Sequence, residues 1–117
     1  MKEFLMIFRA PDMGEYQPTE QEIAETTEQW TNWIGGIAGE GKLVRTDQVG
    51  FDAKVVKSNG EVLNKAFDKV DEIVQGYMLI KASSSEEAAK IAAGCPILLI
   101  NGEVEIRDIM VYDEQPA

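Results

Sequence analysis

Glu3-Phe4-Leu5-Met6-Ile7-Phe8-Arg9 is apolar at every position between its two charged ends. In an extended chain successive side chains point to opposite faces, so Phe4, Met6 and Phe8 share one face while Leu5 and Ile7 share the other. Gly76-Tyr77-Met78-Leu79-Ile80-Lys81 repeats the pattern, with Tyr77 and Leu79 set against Met78 and Ile80. A strand wetted on one side alternates apolar with polar residues. These two do not, and they require cover on both faces.

The rest of the chain supplies cover for one face. Thr19 stands three residues before Glu22 with Pro18 ahead of it, a capping box that starts a helix. From there Ile23, Thr27, Trp30, Ile34 and Ile37 fall on one stripe, Trp33 lies on its flank, and Glu20, Glu25 and Gln29 fall away. Gly35 and Gly36 weaken this helix, which is expected to fray or end between them and Gly39. Gly39-Glu40-Gly41-Lys42 follows a helix and precedes a strand, and Leu43 stands where a phosphate loop needs Ser or Thr, so it reads as a helix C-cap. Ser83 with Glu86 makes a second capping box, Ala88, Ala89, Ile91 and Ala92 give a small-residue face, and Gly94 with Pro96 stops the second helix.

Phe51 to Lys57 sets Phe51, Ala53 and Val55 against Asp52 and Lys54, the pattern of a one-sided edge strand. Ser58-Asn59-Gly60-Glu61 turns it back towards a short partner, Val62-Leu63. Residues 65–72 form a charged connection, and the two-sided strand then runs from about Ile73 to Lys81. Beyond the second helix, Ile97 to Ile100 is a short strand or a packed irregular segment. Asn101-Gly102 turns into a long last strand, Glu103 to Tyr112, and 113–117 is a frayed tail.

Strand, helix, strand thus occurs twice within one domain spanning 1–117. That order predicts an α+β fold, a ferredoxin-like split βαβ sandwich: an antiparallel sheet with two helices on one face and the two-sided strands in its middle. The other face then leaves Leu5, Ile7, Met78 or Ile80, and parts of the last strand, in water. Such a patch on a small chain marks an interface. A second copy packed sheet to sheet would cover it, so the expected assembly is a homodimer of the dimeric α/β barrel kind.

Composition narrows the partners. With 21 acidic against 11 basic residues the formal charge is -10, which repels phosphate backbones and anionic lipid, so neither nucleic acid nor a membrane is an expected partner. No stretch approaches the ~20 apolar residues of a membrane span. Met1-Lys2-Glu3 leads straight into a strand rather than a signal-peptide core, so a cytoplasmic location is expected. The single cysteine, Cys95, allows no internal disulfide.

The chain has no histidine. Acid-base work at neutral pH would fall to a carboxylate, a cysteine, a lysine or a tyrosine such as Tyr77. Asp68 and Asp71, with Asn64, form either a polar cluster at a cavity mouth or a solvated loop. Cys95 sits at a helix C-terminal end, where the dipole disfavours a thiolate, and reads as a small buried apolar group. Arg107 lies in the middle of the last strand beside Glu105 and Ile109 on one face. It pairs with Glu105, with a carboxylate of a second copy, or with a bound small carboxylate, and Arg9 on the adjacent strand could join it. Trp30 and Trp33 read as core, with Trp33 placed to wall a pocket. No metal site and no cofactor are expected.

Asn64-Lys65-Ala66-Phe67, Gln75-Gly76-Tyr77-Met78-Leu79-Ile80, Ser85-Glu86-Glu87-Ala88, Cys95-Pro96 and Val104-Glu105-Ile106-Arg107 together resemble the YCII-related family, specifically its DGPF branch. The resemblance spans nearly the whole chain and implies a ferredoxin-like domain that pairs into a dimeric α/β barrel. Relatives on that barrel include small monooxygenases and muconolactone-isomerase-like enzymes. The branch's Asp-Gly-Pro-Phe tetrad reads Asn64-Lys65-Ala66-Phe67 here, keeping only the phenylalanine. Members for which catalysis has been suggested carry a first-helix histidine and an aspartate before the proline; this chain has no histidine, and Cys95 precedes Pro96. A histidine-aspartate mechanism therefore does not transfer.

The reading that results is a barrel-type dimer binding a small anionic molecule. Its ligand-contacting candidates are Arg9, Trp33, Asn64, Phe67, Asp68, Asp71, Tyr77 and Arg107, and no catalytic residue is assigned. A cofactor-free enzyme using Asp68, Asp71 or Tyr77, and a non-catalytic protein-interaction module, are the alternatives.

Overall fold

The computed structural model describes residues 1–11, 16–50, 52–66 and 72–110. Its main sheet has four strands: β1 (Lys2–Pro11), β2 (Leu43–Gln48), β5 (Glu72–Ala82) and β6 (Glu103–Asp108). They lie in the order β2-β5-β1-β6, with antiparallel pairing at every junction. The two strands apolar on both sides, β1 and β5, hold the middle. Helices α1 (Glu20–Gly39) and α2 (Ser85–Ala92) belong to the layer on one face, so the expected α+β, ferredoxin-like arrangement is what the chain adopts. No helix among the described residues is long and apolar enough to cross a membrane.

Register decides which side chains are core. Met6 pairs with Met78 and Phe4 with Ile80, so Phe4, Met6, Phe8, Met78 and Ile80 all point towards the helices. Met6, Met78 and Ile80 have no exposed surface. The expectation that Met78 or Ile80 stays on the open face is therefore corrected: Leu5 pairs with Leu79 and Ile7 with Tyr77, and these four occupy it. A slip of one residue would exchange the two sets, and alternation within each strand cannot reveal which set of one joins which set of the other.

Helix α1 begins with the expected box: the Thr19 hydroxyl accepts from the Glu22 amide at 3.1 Å and the Glu22 carboxylate accepts from the Thr19 amide at 3.1 Å. It continues through Gly35 and Gly36 to Gly39. Only its second half packs down, where Ile37 is buried and Trp30, Trp33 and Ile34 lie against the core. Phe8 meets Trp30 and Trp33 edge to face at 5.2 and 5.9 Å, geometry that suits the opposite signs of ring face and ring edge. Ile23, on the same stripe, is 52% exposed.

Four local expectations change. The cap of α2 is Ser84 rather than Ser83: the Ser84 hydroxyl accepts from the Glu87 amide, while the Glu87 carboxylate accepts from the Ser83 hydroxyl at 2.8 Å and the Ser83 amide at 3.4 Å, one residue outside the cap, so the reciprocal pair of a box does not close. Of the one-sided edge strand expected over 51–57, only Val55–Val56 (β3) is a strand among the described residues. It pairs with Val62–Leu63 (β4) in a separate two-stranded hairpin, and Phe51 lies outside the described residues. Pro96–Ile100 is a 3-10 helix rather than a strand. The last strand ends at Asp108, earlier than Tyr112, and the tail from 111 onwards lies outside the described residues.

Candidate functional site

One face of the main sheet is left uncovered by the helices. Its centre is Leu5, Ile7, Tyr77 and Leu79, all half-buried. Alternation along the flanking strands puts charge on both margins. On the β2 side Arg45 faces Leu79 and Asp47 faces Tyr77. On the β6 side Arg107 faces Leu5, Glu105 faces Ile7 and Glu103 faces Arg9. An apolar centre with a polar rim is the anatomy of a protein interface, and the molecule's smallest dimension, 19 Å, is that of one sheet and one helix layer.

At the β6 margin a single carboxylate serves two guanidinium groups. Glu105 accepts from Arg9 at 2.5 Å and from Arg107 at 3.3 Å. The Arg9 and Glu105 side chains are about one-third exposed, whereas Arg107 is 68% exposed. Each guanidinium carries five N–H donors in a fork, and each spends one terminal nitrogen on Glu105.

The β2 margin holds a trio that sequence reading missed. Tyr77 donates its hydroxyl to Asp47 at 2.5 Å and Arg45 donates Nε to the same oxygen at 2.7 Å. Asp47 is held below the usual carboxylate range, first by the tyrosine hydroxyl and then by Arg45. Tyr77 is pushed above its ordinary value because its proton is engaged by Asp47, which makes the phenol a hydrogen-bond donor and a poor base at neutral pH. Residues 45 and 47 are two apart on a strand, the one visible sign that they share a face. The register shift between Leu43 and Arg45 hides which face that is. Tyr77→Phe is expected to raise the Asp47 pKa towards its ordinary value, read from its carboxyl carbon in an NMR titration. The sign follows from linkage: a depressed carboxylate stabilises the fold above its unfolded pKa of about 4, and that contribution disappears as pH falls through its folded pKa. The variant therefore gives up part of that contribution at every pH above the unfolded value, and its deficit against wild type shrinks away as pH falls through the folded pKa.

The other candidates scatter. Trp33 lies in the helix layer, on the opposite side from Arg9 and Arg107. Its indole donates to the Ile91 carbonyl at 3.1 Å, and it walls a groove of about 480 Å³ with Cys95, Pro96, Leu98 and Leu99. Asn64 accepts from Lys54 at 2.6 Å beside the β3–β4 hairpin. Phe67, Asp68 and Asp71 lie outside the described residues. Cys95 is buried, as read from its neighbours, and burial pushes its thiol up to about 11. It remains a neutral thiol at physiological pH. Of the eight named residues, the structure therefore brings Arg9, Tyr77 and Arg107 to one surface.

The sequence profile of the YCII-related domain fits residues 4–113. Curated proteins give no match.

Proposed function

The chain belongs to the YCII-related family, and from that premise we propose that two copies pair through their open sheet faces and bind a small carboxylate at the β6 margin. The observation that carries this reading is the convergence of Arg9 and Arg107 on Glu105, beside the uncovered Leu5, Ile7, Tyr77 and Leu79. A second sheet laid over that centre would exclude water from it. Under low-dielectric cover a guanidinium with unspent donors gains most from a planar, bidentate acid. Within the family we place the chain in the DGPF branch, on the order and spacing of the segments starting at Asn64, Gln75, Ser85, Cys95 and Val104. Asn64 in place of the tetrad's aspartate and the lack of any histidine favour binding over acid-base catalysis. A cytoplasmic protein with no cofactor is part of the same reading.

Titration calorimetry with a panel of small mono- and dicarboxylates tests the ligand. At least one is expected to bind saturably to wild type, and Arg107→Ala is expected to weaken it by roughly tenfold or more, the worth of one charge-assisted hydrogen bond. A panel without any saturable member, or an Arg107→Ala variant that binds as well as wild type, contradicts the proposal.

A further inference from the structure

Among the described residues neither outer strand of the main sheet has a partner beyond it, yet the two edges differ. The register shift between Leu43 and Arg45 interrupts β2, and a bulge of this kind twists an edge away from further pairing. β6 pairs with β1 without irregularity and contains no proline. The Ile109 amide donates to the Glu3 carbonyl at 3.0 Å. By antiparallel alternation the backbone groups of Glu103, Glu105 and Arg107 then also face β1, and those of Val104, Ile106 and Asp108 face outward.

We propose that β6 is a self-association edge. Two copies pair β6 against β6, antiparallel, about a two-fold axis at Ile106, so that one sheet runs through both. Charge selects the register. Centred on Ile106, Glu105 of each copy faces Arg107 of the other, twice by symmetry. Centring on Glu105 opposes Glu103 to Arg107 twice but sets carboxylate against carboxylate on the axis, centring on Arg107 sets guanidinium against guanidinium, and centring on Val104 sets Glu103 against Glu105, so the Ile106 centre gains two opposite pairs without a like one. Backbone geometry agrees with the charge. The Ile106 centre joins the outward groups of Val104, Ile106 and Asp108 in hydrogen-bonded pairs, and it leaves Glu105 and Arg107 at the intervening sites, where facing side chains come closest. Arg107, two-thirds exposed and held in its own chain by one 3.3 Å contact, can reach across. This contact uses the margin of the sheet and stands whether or not the faces also pair.

Amide hydrogen exchange of the wild-type protein, followed by NMR across a dilution series, reads the edge directly. In the associated state Val104, Ile106 and Asp108 are expected to exchange at least about tenfold more slowly than in the dissociated chain. Face-to-face pairing alone leaves those outward amides unprotected, so the two contacts are told apart. Charge reversal supplies the second arm. Glu105→Arg and Arg107→Glu, each shown to be folded by its thermal transition, are each expected to self-associate at this edge roughly tenfold more weakly. Their one-to-one mixture is expected to recover the loss, since both facing pairs become opposite in sign. Equal exchange at the three amides in both states, or a mixture that associates no better than its components, overturns the proposal.

Discussion

Leu79→Asp is expected to dissociate the proposed face-to-face dimer and leave each 13.0 kDa chain folded. Leu79 belongs to the uncovered face and takes no part in the core of Phe4, Met6, Phe8, Met78 and Ile80. Covering a leucine side chain is worth about 1.5–3 kcal/mol, and a two-fold pair loses it twice, so the dissociation constant should rise by roughly two to four orders of magnitude. Sedimentation velocity gives the constant, and near-ultraviolet circular dichroism reports the retained core. The adjacent Met78→Asp should behave in the opposite way. Met78 has no exposed surface, so an unpaired carboxylate there costs several kcal/mol and the chain should fail to fold at any concentration. One residue of register separates loss of assembly from loss of structure. A Leu79→Asp protein that associates as wild type would falsify the assignment of this face.

Gly102→Ala is expected to be among the most destabilising single-methyl additions in the molecule. A Cβ at Gly102 would lie 2.5 Å from Ile97 Cγ1 and 2.6 Å from the carbonyl oxygens of both Arg9 and Ile97. Two of those neighbours are backbone, one of them in β1, and the Gly102 amide is itself bonded to the Ile97 carbonyl at 2.9 Å. The 3-10 helix cannot move away without releasing that bond, and β1 cannot move without disturbing the sheet. Overpacking of this kind costs about 3 kcal/mol, which for a chain of this size lowers the midpoint of thermal unfolding by roughly 10 °C. Differential scanning calorimetry checks it, and an unchanged midpoint would mean that the junction between this helix and β6 is looser than described.

Much of the architecture was legible because its signals are local. The apolar runs around Met6 and Met78 announced two strands needing cover on both faces, and Thr19 with Glu22 announced the first helix. Both depend only on side chains a few residues apart. Relations between distant segments were not legible. Whether Met78 or Leu79 joins the core depends on the pairing of β1 with β5, including a shift between Phe8 and Arg9 that no periodicity encodes. The same limit hid Asp47 as the partner of Tyr77. Arg107 with Glu105 was readable because the two lie on one strand, and Arg9 because its strand was expected beside it. Trp33 looked like a pocket wall and does line a groove, but on the opposite side of the molecule, since a helical stripe does not reveal which end of the helix stays packed.

The pairing of open faces is tested most directly by an isotope-filtered NOE experiment on a mixture of methyl-labelled and unlabelled chains. Contacts between copies are expected at the methyl groups of Leu5, Ile7 and Leu79. A mixture showing none of them at concentrations where the protein sediments as a pair, or a wild type that sediments only as a single chain, would contradict the account.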